Sequence, residues 1–97
     1  MCELSYHAVV KTPSGYRIGK ITSKLEDGKT SGELSLTDFN GRYFGTIEAD
    51  GCFEIEVERY LSADLVKCRG SGRLSIYSIH ITIDSSGVIY ELDGTAE

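Results

Sequence analysis

His7 and His80 are the only imidazoles in this 97-residue chain, and Cys2, Cys52 and Cys68 are its only thiols. Any zinc site, or any thiolate activated by a neighbouring base, must be built from these side chains. Their spacing builds neither. Structural zinc is announced by paired ligands a few residues apart, and here every candidate is solitary. Cys68 reads instead as a small core residue, and His80 as a strand residue on a polar face beside Ser78 and Thr82. Glu54, Glu56 and Glu58 carry enough oxygen for a hard cation, but residues two apart on a strand stand in a row and cannot surround an ion. They read as a solvated face crossed by Lys67 or Arg69 from a neighbouring strand. No metal ligand, no cofactor and no catalytic residue is assigned.

Six tyrosines without a tryptophan offer a different chemistry. A phenol presents a large apolar face and one hydroxyl, which suits the lining of a ligand cavity or an interface. Tyr77 stands out because it lies where the apolar parity of the chain switches. With His80 and Tyr43 it forms the candidate ligand-binding set, at the open end of a small barrel that would receive an apolar or aromatic small molecule. Two other readings stay open. In one, His80 with Glu54 or Asp84 acts as acid and base in the barrel mouth. In the other, the domain is a structural or protein-interaction module that forms a homodimer. Such a dimer would use an exposed strand edge, or the apolar surplus of Tyr77 to Ile83.

The elements that must position these residues are strands. Leu4 to Val10 alternates, with Leu4, Tyr6, Ala8 and Val10 on one face. Thr12-Pro13-Ser14-Gly15 then turns the chain into Tyr16 to Thr22. Asp27-Gly28 makes the next turn, before Gly32 to Thr37. Asn40-Gly41 predicts a tight hairpin into Arg42 to Glu48, and Asp50-Gly51 turns again. From Cys52 to Glu58 the pattern is that of a half-buried strand, with Phe53, Ile55 and Val57 inward. Residues 58–67 are ambiguous. Val57, Leu61, Leu65 and Cys68 recur at helical spacing, so a short helix there, giving an α+β fold, stands against a hairpin around Leu61-Ser62-Ala63-Asp64.

The stretch Gly70 to Asp84 organises the rest. Its opening, Ser71-Gly72-Arg73-Leu74-Ser75-Ile76, echoes Ser31-Gly32-Glu33-Leu34-Ser35-Leu36. Its end, Thr82-Ile83-Asp84-Ser85-Ser86-Gly87, echoes Thr46-Ile47-Glu48-Ala49-Asp50-Gly51. Within it Leu74 and Ile76 share one parity while Tyr77, Ile79, Ile81 and Ile83 share the other. A bulge or a bend near Ile76 to Ser78 is therefore expected, as at a barrel corner. Val88 to Leu92 is a last strand before a polar tail. About eight short strands at this spacing predict one all-β domain over residues 1–97, a small antiparallel meander barrel or sandwich. Its core candidates are Phe39, Phe44, Phe53 and the Ile and Leu residues.

Composition sets the outer bounds. Hydrophobic residues at 40% and charged residues at 26% are those of an ordinary globular chain. No apolar run reaches the roughly 20 residues of a membrane helix, and no secretory signal opens the chain, so neither a membrane nor export is expected and the cytoplasm is the expected compartment. A net charge of -5 repels polyanions, so nucleic acid is not an expected partner. Three cysteines without a framework read as free thiols, although Cys2 also matches the start of a mature bacterial lipoprotein.

Overall fold

The computed structural model describes residues 2–97. Eight strands follow one another: β1 (Cys2–Thr12), β2 (Gly15–Glu26), β3 (Lys29–Leu36), β4 (Phe39–Ile47), β5 (Cys52–Leu61), β6 (Asp64–Leu74), β7 (Ser78–Ser85) and β8 (Val88–Ala96). Each pairs antiparallel with the next, and β8 returns to β1 through Tyr6↔Ala96 to Lys11↔Glu91, closing an up-and-down barrel in which 81% of residues are strand. The expected all-β meander is thus the fold, in its barrel form.

Period-two alternation decides what lies inside. Tyr6, Val10, Ile21, Leu34, Leu36, Phe39, Tyr43, Val57, Ile81, Ile83 and Leu92 are all buried in one interior cluster. Glu54 and Glu56 point to solvent opposite Ser71 and Arg69, and Glu58 lies opposite Lys67 with its Oε1 2.6 Å from Arg42 Nε, so the acidic row is the expected solvated face. Cys68 is buried, and none of the three cysteines is bridged. Phe44 departs from its expected core place. It alternates with Tyr43 and Gly45, both of which face inward, and so stands 44% exposed outside.

Three local expectations are corrected. Residues 58–67 form no helix: β5 runs to Leu61, Ser62 takes φ 47°, and β6 starts at Asp64. The helical spacing of Val57, Leu61, Leu65 and Cys68 arises because two antiparallel strands share one tight turn. Second, the chain does not turn at Asn40-Gly41. Asp38 takes φ 58°, Leu36 pairs with Phe39, and Asn40 and Gly41 lie within β4. A turn over Asn40-Gly41 would have kept Phe39 in β3 on its outward parity, so burial of that ring overrides the local preference of Asn-Gly. Third, Gly70 to Asp84 is not one bent strand. A turn over Ser75 to Tyr77 separates β6 from β7, with the Ser75 hydroxyl accepting the backbone N–H groups of Tyr77 and Ser78 at 3.1 and 3.2 Å. That turn is the parity switch.

Candidate functional site

The three residues chosen from sequence do not converge. Tyr43 lies on the inner face of β4, 1% exposed, and its hydroxyl donates to the Thr22 carbonyl at 3.2 Å. Burial pushes this phenol up to about 12. Beside it the Ser23 and Thr30 hydroxyls, both buried, bond each other at 3.1 Å, and Gly32 gives the Tyr43 ring its room: a Cβ there would lie 2.6 Å from the Tyr43 hydroxyl. Tyr77 sits at the far side of the wall, 75% exposed on the β6–β7 turn. His80 points outward from β7.

A broad concavity lies on the outside of the barrel. It is an open groove of about 1050 Å³ across β7, β8, β1 and β2, reaching the β6–β7 turn, and it includes His80 but neither Tyr77 nor Tyr43. Strand register explains what meets there. Arg73 pairs with His80, His80 with Asp93, Asp93 with Val9 and Val9 with Ile18, so these five side chains form one outward row across five strands. Ile18 is 71% exposed, which makes one end of the row apolar and the other polar.

His80 is held from both ring nitrogens. Nδ1 lies 2.6 Å from Asp93 Oδ1, and Nε2 lies 3.3 Å from Thr82 Oγ1. A carboxylate only accepts, so Nδ1 carries the proton and Nε2 accepts from the Thr82 hydroxyl when the ring is neutral. The acid beside His80 is therefore Asp93, a residue the sequence reading left in a polar tail. Glu54 and Asp84, the acids first considered, make no hydrogen bond to either histidine among the described residues. At the near end of the groove Asp50 accepts the Cys52 backbone N–H at 3.0 Å, which holds its carboxyl below the usual carboxylate range, and the Asp50 carbonyl accepts Arg73 Nε at 3.2 Å. No group of three metal-ligating side chains forms among the described residues.

Barrel closure removes the free edge, and Ile79, Ile81 and Ile83, at 2%, 0% and 0% exposed, belong to the chain's own core, which leaves Tyr77 as the exposed member of the apolar stretch from which dimerisation was expected.

No protein-family model and no curated protein matches the chain. Two solved structures do. One is a redesigned β-barrel, mFAP1, bound to DFHBI, with a TM-score of 0.66 at 14% identity over 96% of this chain and 91% of that one. The other is a redesigned β-barrel, b11L5F_LGL, with a TM-score of 0.64 at 14% identity over 96% of this chain and 87% of that one. At such identity the likeness is one of fold.

Proposed function

We propose that this barrel binds an apolar or aromatic small molecule, and that the outer groove across β7, β8, β1 and β2 receives it. The carrying observation is the row Ile18, Val9, Asp93, His80: an apolar patch running into a fixed donor and acceptor pair within a single concavity of about 1050 Å³. Ligand sites combine mostly apolar contact with a few placed polar groups in this way. The structurally similar redesigned barrel mFAP1 is bound to DFHBI, which supports a barrel of this shape accommodating a small molecule.

The acid and base reading has a weaker footing. Asp93, His80 and Thr82 form a hydrogen-bonded chain, but His80 and Asp93 are both solvent-exposed on the outer wall, where water competes for every proton. Binding is the better use of the pair.

Titration of labelled protein with a library of aromatic and heteroaromatic metabolites tests the proposal. Saturable amide shifts centred on Val9, Ile18, His80 and Asp93 are expected for at least one compound. Ile18→Glu and His80→Ala should each weaken it by about tenfold, since each removes one contact worth about 1–2 kcal/mol. Compounds that bind with unchanged affinity to both variants would move the site elsewhere.

A further inference from the structure

Two arginines point into the barrel at the end formed by the β1–β2, β3–β4, β5–β6 and β7–β8 turns. Arg17 is paired with inward-facing Val10, and Arg59 follows Phe53, Ile55 and Val57 on the inner face of β5. Arg17 is answered: its Nε lies 3.7 Å from Asp38 Oδ2, and its terminal nitrogens donate to the Tyr16 carbonyl at 3.0 Å and Ser14 Oγ at 3.2 Å. Arg59 is not. No carboxylate of the described residues lies within 4.0 Å of it. Among the described residues its Nε is enclosed without a hydrogen-bond partner, and the guanidinium makes one long hydrogen bond, from Nη2 to the Asp38 carbonyl at 3.5 Å, with no partner for Nη1.

Aromatic rings take up part of this charge. Arg59 Cζ is 4.2 Å from the Phe39 centroid and 4.9 Å from that of Tyr90, and the two centroids are 5.0 Å apart. Three nearly equal sides place both rings on one flank of the cation. Such contacts attract the cation through the ring quadrupoles, but a ring face does not replace the oxygen acceptors that the guanidinium N–H groups seek. Above the cluster the apolar parity continues. Leu61 stands two residues beyond Arg59 and Val88 two residues before Tyr90, on the same inner faces, and they are 39% and 41% exposed. Leu36, opposite Phe39, and Ile83, opposite Tyr90, flank the cluster, and with Val57 they fill the barrel at its base.

We propose that this mouth is a second binding site, one that takes a small amphipathic carboxylic acid. The carboxylate lies across the terminal nitrogens of Arg59, in the bidentate geometry that a planar fork favours. The apolar body of the ligand lies against Leu61 and Val88. The filled interior limits the ligand to the mouth, and Asp38 and Asp64 at the same rim oppose anions that cannot also use the apolar collar.

Hexanoate is the probe and hexanamide its neutral control, at constant ionic strength. Hexanoate should shift the Arg59 Nε–Hε resonance and the amides of Leu61 and Val88 saturably, and hexanamide should bind at least about tenfold more weakly. Arg59→Met should abolish the difference between acid and amide. Arg59→Lys, which keeps the charge and guards against a folding defect, should weaken hexanoate several-fold because it loses the fork. Ile18→Glu, in the outer groove, should leave hexanoate binding unchanged, which separates this site from the one above. Equal affinity for acid and amide, no saturable shift up to about 20 mM, or full hexanoate binding by Arg59→Met would each overturn the proposal.

Discussion

The phenols of Tyr6 and Tyr43 stay neutral because burial strips water from an anion, a cost that the Ser23 and Thr30 hydroxyls beside Tyr43 offset only in part. Burial is the first cause of both shifts, and each is raised to about 12, with Cys2 adding to that of Tyr6. In the unfolded chain a tyrosine titrates near 10. The folded state thus holds its protons longer, so this stability is whole below about pH 10 and is lost as pH rises from about 10 to about 12, by an amount on the order of 2–3 kcal/mol for Tyr43. Urea unfolding at pH 8 and pH 11 should show the loss, and Tyr43→Phe should make the two curves more alike. A second residue matters by lacking a side chain. A Cβ on Gly94 would lie 2.8 Å from Ile79 Cγ2 and 2.9 Å from Tyr6 Cβ, so Gly94→Ala should destabilise by about 1–3 kcal/mol in the same assay. That glycine also explains why Asp93 escaped the sequence reading. After Leu92 the inward position is occupied by no apolar side chain, so β8 looks finished one residue before the carboxylate that orients His80. Arg59 was legible in principle, since it keeps the inward parity of Phe53, Ile55 and Val57. A charged residue at such a position reads as the end of the pattern, not as its continuation.

At the scale of elements the hairpins carried the clearest signal. Asp27-Gly28 and Asp50-Gly51 turn where they were expected to, and Gly28, Gly51 and Gly87 take φ 73°, 92° and 88°. The internal echo holds in three dimensions: Gly32 and Gly72 both face inward, as do Leu34 and Leu74, and Gly51 and Gly87 both supply the left-handed turn residue. It fails at Leu36 and Ile76, because Leu36 ends a strand inside the barrel while Ile76 sits 62% exposed in a turn. Strand register was the illegible part. It is set by which face must be buried, and that follows from the closed sheet more than from any dipeptide. The turns offer a clean energetic test. Nothing lies within 4 Å of a Cβ built on Gly87, so Gly87→Ala should cost about 1–2 kcal/mol through backbone conformation alone. Ser62→Gly, at φ 47° in an exposed turn, should return a similar or smaller amount, and paired denaturation curves would measure both.

For the whole molecule, the seam between β1 and β8 is the one strand pairing not made by chain neighbours. A closed sheet has no edge to offer, whereas an open one offers two. Removing residues 88–97 should therefore leave one open edge on each of β1 and β7 and shift the protein to larger species in size-exclusion chromatography, while the full chain elutes earlier only if it associates through some other surface. The seam also has a history during synthesis. β1 finds β2 within a few residues, but its other neighbour is the last of the eight strands to leave the ribosome. At about 5–20 residues per second, the interval from Thr12 to Ala96 is roughly 4–17 s. Throughout that interval the nascent sheet presents a bare strand to its surroundings. Slower synthesis along β8 should therefore raise the share of chains whose β1 pairs with another copy before its own β8 arrives, which size-exclusion chromatography of freshly translated protein would read as dimer.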